Sequence, residues 1–102
     1  MIDDKFIIDA QALKSKINKD EEIQIIDIRE KIIYQNPITN SEWIPASEIL
    51  NNIGKIKTDI PVILYCRMGV DSFFIVNILH AEYKFTNIYS LKSGIEAFEK
   101  LP

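Results

Sequence analysis

The chain carries a single thiol, Cys66, followed directly by Arg67-Met68-Gly69-Val70-Asp71-Ser72. The residues before it read as a strand and those after Ser72 as a helix, so 67–72 form a short strand-to-helix loop. Such a loop turns successive backbone N–H groups inward, and the helix N-terminus adds partial positive charge, which together make an anion-binding nest. A thiol at the base of that nest is favoured as thiolate, the nucleophilic form, because dipole and N–H groups stabilise negatively charged sulfur. Gly69 lets the backbone take conformations that a Cβ resists. Arg67 could attract an anion, stabilise a thiolate, or simply face solvent. Ser72 could donate to sulfur or merely cap the helix. On position alone, a buried structural cysteine stands level with a reactive one.

The other ionisable groups narrow the chemistry. His80 is the only imidazole. It falls on the same predicted helix as Ser72 but about 12 Å farther along the axis, beyond hydrogen-bond reach of a sulfur at the helix start. It reads as a packing or surface residue. One cysteine forms no internal disulfide, and with one histidine it builds no zinc site. A reducing cytoplasm is the expected compartment.

Positioning Cys66 falls to a chain of alternating short strands and helices. Phe6-Ile7-Ile8 is a minimal strand, and Asp9 offers an N-cap for a helix over Ala10–Asn18 with Ala10, Leu13 and Ile17 on one face. Ile23–Ile28 follows as a strand. Residues 30–42 lack periodicity and hold Asn36-Pro37 and Asn40-Ser41, the mark of a surface loop. Trp43-Ile44 reads as a short strand ended by Pro45. A short helix begins at Ala46 or Ser47, with Gly54 as its C-terminal stop. Pro61-Val62-Ile63-Leu64-Tyr65-Cys66 is apolar on both faces, as a central parallel strand covered on each side must be. Asp71 or Ser72 is expected to cap the next helix, whose wide apolar stripe predicts deep packing. Trp43, Phe73 and Phe74 are expected in the core or on the loop rim, where an exposed aromatic could dock a partner. Asn87–Leu91 is another strand and Gly94–Leu101 a last helix. The alternation predicts one α/β domain spanning residues 1–102, with a mostly parallel sheet.

Composition excludes several classes of function. At 102 residues with 47% hydrophobic and 26% charged residues, the chain has the make-up of one ordinary globular domain. Net charge is −3, and without a basic stripe there is no footprint for nucleic acid. The longest apolar runs, Ile60–Cys66 and Phe73–Val76, fall far short of the ~20 residues a membrane span needs. The acidic start, Met-Ile-Asp-Asp-Lys, lacks the apolar stretch of a secretory signal.

Four stretches in order resemble the rhodanese-like family, and the similarity runs nearly end to end. Ile25-Ile26-Asp27-Ile28-Arg29-Glu30 resembles the family's Asp-x-Arg-Glu signature, and Trp43-Ile44-Pro45-Ala46-Ser47-Glu48-Ile49 its His-Ile-Pro-Gly-Ala stretch. Pro61–Ser72 resembles the active-site strand and loop, with Cys66 at the nucleophile position. Leu91-Lys92-Ser93-Gly94-Ile95-Glu96-Ala97-Phe98 resembles the closing Leu-x-Gly-Gly-x-x-Ala-Trp element. The resemblance implies a three-layer fold, a five-stranded parallel sheet with helices on both faces. It also implies a sulfurtransferase whose cysteine thiolate takes up sulfane sulfur as a transient persulfide and passes it on, with no metal or organic cofactor. In that reading Cys66 is catalytic, Arg67, Met68, Gly69, Val70, Asp71 and Ser72 form the substrate loop, and Asp27 and Arg29 brace the sheet end beneath it. The Cys-Arg-x-Gly-x-Asp-Ser form is similar to rhodanese domains attached to ubiquitin-like-protein activating enzymes. The implied partners are thus a small sulfane donor or a protein persulfide, and a ubiquitin-like sulfur carrier. A monomer free of nucleic acid and membrane is expected.

The departures bear on the donor. Asp71 stands where many relatives carry Arg before the loop serine, so a carboxylate there opposes both a thiolate and a dianionic donor. Trp43 stands where histidine is frequent, Ser93 replaces a glycine, and Ile33-Tyr34 lie where an acidic residue often follows. The related cysteine phosphatases place an arginine six residues after the nucleophile. Ser72 occupies that position, which argues against phosphate chemistry. The remaining alternative is a non-catalytic interaction or regulatory module on the same fold.

Overall fold

In the computed structural model, which describes residues 4–32 and 35–102, the apolar run ahead of Cys66 is the middle strand of a five-stranded parallel sheet. The elements in chain order are β1 (Ile7–Ile8), α1 (Ala10–Asn18), β2 (Gln24–Asp27), β3 (Glu42–Trp43), α2 (Ala46–Ile49), β4 (Val62–Tyr65), α3 (Val70–Tyr83), β5 (Ile88–Leu91) and α4 (Gly94–Glu99). Short 3₁₀ segments precede β1 (Asp4–Phe6) and follow α2 (Leu50–Lys55). The strands lie side by side as β1-β5-β4-β2-β3, every pair parallel.

Alternation along β4 divides the core into two layers, because successive side chains of a strand point to opposite faces. Val62, Leu64 and Cys66 face a cluster with Ile49, Val76 and Leu79 from α2 and α3. Ile63 and Tyr65 face Ala10 and Leu13 of α1 and Ile95 of α4. Every residue of β4 is fully buried, so its doubly apolar sequence has its physical cause in two covered faces. All five strands end toward one edge of the sheet. Cys66 leaves β4 at that edge, where open α/β sheets place their ligands.

Asp9 caps α1 as expected, its carboxylate accepting from the Ala12 N–H at 2.7 Å. Five other expectations are corrected. Phe6 lies in the 3₁₀ turn rather than in β1, where its ring stacks on His80 with centroids 3.5 Å apart. That histidine is a packing residue, with Nε2 2.8 Å from the Ile88 carbonyl oxygen. Gly54 is no helix stop. It sits inside the 3₁₀ segment without the positive φ of a left-handed cap, and the chain turns extended at Ile56, which is drawn into the core. Neither Asp71 nor Ser72 caps α3. Gly69 holds that position at φ +92° and has no side chain with which to cap the first turn. The apolar stripe of α3 is also narrower than the sequence suggests, since Phe74 stands 69% exposed. Within the loop read over residues 30–42, Glu42 already pairs with Ile26 as the start of β3. Ile33 and Tyr34 lie outside the described residues.

Candidate active site

Cys66 Sγ occupies the place of the missing helix cap. It accepts the Gly69 N–H at 3.2 Å and the Ser72 N–H at 3.4 Å. The N-terminal N–H groups of a helix have no partner inside it and take one from a capping acceptor. Sulfur serves as that acceptor here. Two convergent N–H groups and the positive end of a 14-residue helix therefore face one atom, so hydrogen-bond donors already stand where charge would develop on sulfur during a reaction.

Ser72 is turned inward by the same geometry. It is fully buried, with Oγ 3.5 Å from Sγ and 2.7 Å from the Ser90 Oγ. When sulfur carries the negative charge, Ser90 can donate to Ser72 and leave the Ser72 proton for the sulfur. Sequence reasoning missed Ser90. The signal was a lone hydroxyl at an inward position of an apolar strand, and a buried hydroxyl needs a partner.

The loop is fastened from α4. The Ile95 N–H donates to the Cys66 carbonyl at 3.0 Å and the Glu96 N–H to the Arg67 carbonyl at 3.2 Å. This approach requires Gly94, because a Cβ there would collide with the Arg67 and Cys66 carbonyls. The Glu96 side chain also forms an ion pair with Arg67 at 2.8 Å, holding the guanidinium pKa above its ordinary value. Glu96 likewise escaped the sequence reading, which had no means of placing it beside a residue so distant in the chain.

Asp27 ends β2 and pairs with Arg29 two residues on, and Arg29 also lines the pocket that holds Cys66. The fully buried Asp27 carboxylate accepts the backbone N–H and Nε of Arg29, both at 3.0 Å to Oδ1, and Nη2 at 2.6 Å to Oδ2. The Tyr65 hydroxyl donates to the same Oδ2 at 2.9 Å and accepts the Ile38 N–H at 3.0 Å. This network pins the residue immediately before Cys66. Burial is the main cause that raises the Tyr65 phenol above its ordinary value of 10.0. The phenolate thus forms more readily in the unfolded chain, and stability present below pH 10.0 is lost as pH rises through that region. Tyr65→Phe is expected to weaken the fold by about 1 kcal/mol at pH 7 through its lost hydrogen bonds, while flattening the alkaline decline. Urea midpoints from pH 7 to 11 check this, and an equally steep decline in both proteins would refute it.

A pocket of about 240 Å³ opens over the sulfur, lined in part by Arg29, Glu30, Lys31, Cys66, Arg67 and Asp71. On the other side of the loop an apolar groove of about 600 Å³ runs between Ile7, Met68, Val70, Phe73 and Phe74. Met68 and Val70 are exposed at its rim. Trp43 is half-exposed, its Nε1 donating to the Arg29 carbonyl at 2.7 Å. Among the described residues no group of acidic, cysteine and histidine side chains could hold a metal ion, and no helix is long and apolar enough to cross a membrane.

This fold, with a cysteine cradled at the end of its middle strand, matches one family in sequence. Residues 9–101 match the rhodanese-like domain, and the chain belongs to that family. Among solved structures it is similar to a rhodanese-related protein from Thermoplasma volcanium, at 27% identity over 94% of each chain with a TM-score of 0.79. A rhodanese-like domain protein from Staphylococcus aureus is 24% identical over 89% of this chain and 88% of its own, with a TM-score of 0.78. The rhodanese-like domain of an Anabaena protein is 22% identical over 92% of this chain and 73% of its own, with a TM-score of 0.79. The latter two speak to the fold alone. No curated protein matches the chain in sequence.

Proposed function

We propose that this protein is a persulfide-forming sulfurtransferase, or sulfur carrier, with Cys66 as its nucleophile. The observation that carries the reading is the cradle of Sγ by the Gly69 and Ser72 N–H groups beneath an open pocket. Such donors are already in place when negative charge collects on sulfur, so little reorganisation accompanies the reaction. The Cys66 thiolate attacks the outer, sulfane sulfur of a donor. The Sγ–S bond forms as the donor's S–S bond breaks, and the electron pair leaves with the departing thiolate or sulfite. An acceptor nucleophile then takes the terminal sulfur, and the broken S–S bond returns its electron pair to Cys66 as thiolate. The cycle uses no metal and no organic cofactor, and it needs a compartment that keeps the thiol reduced.

The exposed apolar rim of Met68, Val70 and Phe74 beside the nucleophile suits a protein donor or acceptor, such as a protein persulfide or a ubiquitin-like sulfur carrier. A module kept only for binding would have no use for a cradled thiol. Intact mass after incubation with sulfane donors tests the proposal. The expected result is a gain of about 32 Da, one sulfur, that disappears on reduction or on addition of an acceptor thiol. A chain that stays at its original mass with small and protein donors alike would overturn it.

A further inference from the structure

The charges around the Cys66 pocket do not balance, and the cause lies outside the loop. Arg29, Lys31 and Arg67 supply positive charge, while Glu30 and Asp71 supply negative charge. Arg29 is already neutralised by Asp27 at 2.6 Å, and Arg67 is drawn into its pair with Glu96 at 2.8 Å. Glu30 is held by Ser47, whose N–H and Oγ both donate to it, but it keeps its charge. Lys31 and Asp71 have no ion-pair partner among the described residues. The mouth thus keeps one uncommitted ammonium against two carboxylates. A second pocket of about 290 Å³ continues past Arg29 and Arg67, and Glu96 and Glu99 are its acidic wall. The cradle N–H groups act on the sulfur itself, whereas the charge of an incoming molecule lies farther out among these side chains.

We infer that Glu96 sets the charge class of the sulfur compounds this site accepts. By engaging Arg67 it silences the one cation of the loop and, together with Asp71, favours uncharged and cationic sulfur compounds over anionic ones. The inference rests on the reading of Cys66 as the reacting thiol and adds to it the substrate class. Both partners of the pair are well exposed, so each charge shifts rates modestly, by about two- to fivefold, and salt screens the effect.

The experiment reads the potential at Cys66 without any sulfur transfer. Methanethiosulfonate reagents bearing an aminoethyl, a methyl or a sulfonatoethyl group are reacted with the folded protein and followed by intact mass. In each case the Cys66 thiolate attacks the sulfenyl sulfur, a mixed disulfide forms, and methanesulfinate leaves with the electrons of the broken bond. Rates are divided by those of the methyl reagent and compared with the same ratios for 2-mercaptoethanol. The expected ratio of ammonium to sulfonate reagent exceeds that of the small thiol by about fivefold or more at low ionic strength and shrinks at high salt. Glu96→Gln, which keeps the backbone bond to Arg67, is expected to lower it about two- to fivefold, and Asp71→Asn by a similar factor. A wild-type ratio equal to that of the small thiol, or one favouring the sulfonate, overturns the inference. So does a ratio moved by Asp71→Asn but untouched by Glu96→Gln. Charge selectivity in a protein that never gains a sulfur would defeat the sulfurtransferase reading alone. A protein that loads sulfur without charge selectivity would defeat this inference alone.

Discussion

Asp27→Ala is expected to destabilise the protein by about 3–5 kcal/mol, the range for removing one partner of a buried, hydrogen-bonded ion pair. The carboxylate is fully buried and serves three donor groups at once: the Arg29 backbone, the Arg29 guanidinium and the Tyr65 hydroxyl. The Arg29 side chain is only 9% exposed. Without Asp27 its cation is left, among the described residues, with the Gln35 amide oxygen and the face of the Tyr65 ring, and the Tyr65 hydroxyl loses its carboxylate acceptor inside the core. Much of the penalty comes from these stranded groups rather than from the lost attraction. Asp27→Asn keeps the shape and one acceptor oxygen but turns an NH2 toward the donors on the other side, so about half the loss is expected. Urea unfolding provides the measurement, with the midpoint falling at constant slope. Neither variant is expected to change turnover per folded molecule, because neither side chain reaches the sulfur. A loss under about 1 kcal/mol for Asp27→Ala would mean that the brace is not what holds this end of the sheet. A fall in turnover with stability intact would move Asp27 into the reaction itself.

The architecture was legible wherever one strong local signal sufficed. The doubly apolar 61–66 run named the middle strand, and Asp9 placed the start of α1 to the residue. Errors fell where tertiary contacts override a local rule. At Gly54 the pull of Ile56 into the core sets the backbone, not the absence of a side chain. At the start of α3, Asp71 and Ser72 are ordinary capping types, yet sulfur from the preceding strand takes the cap and draws Ser72 inward. A pattern of residue types holds no trace of an acceptor that comes from another element.

The site divides in the same way. Cys66 and its cradle are contiguous in sequence, so a strand-to-helix loop with one cysteine made them readable. Ser90, Gly94 and Glu96 reach the loop from β5 and α4, and only the crossovers of a parallel sheet bring them there. Gly94 stood in a recognisable stretch, but its reason, the close approach of two loop carbonyls, is a fact of packing. Arg67 shows the limit most clearly. The sequence left it open between binding an anion and facing solvent, and the fold gives it a carboxylate of the same chain instead.

Cys66→Ser is expected to lower sulfur transfer to the uncatalysed level while leaving the fold intact. The two side chains differ by one atom, and the Gly69 and Ser72 N–H groups would find a hydroxyl oxygen where they now meet sulfur. A stability change within about 1 kcal/mol is expected, since a small hydrophobe in a tight site is exchanged for a hydroxyl with donors already in place. The chemistry does not survive the exchange. A serine hydroxyl remains protonated at neutral pH, and no histidine stands near to take its proton, because His80 is committed to Phe6 and Ile88. Oxygen is also a poor nucleophile toward sulfane sulfur, so no carrier intermediate forms and the mass gain is lost with the turnover. Ser72→Ala gives the useful contrast. It keeps Cys66 and both N–H donors but removes one hydroxyl from the sulfur and leaves Ser90 without its partner, so a fall of about tenfold is expected rather than abolition. Paired measurements of turnover and thermal midpoint on the two variants check the ranking. Turnover retained in Cys66→Ser would place the reacting group elsewhere, and with no second thiol in the chain it would end the persulfide mechanism altogether.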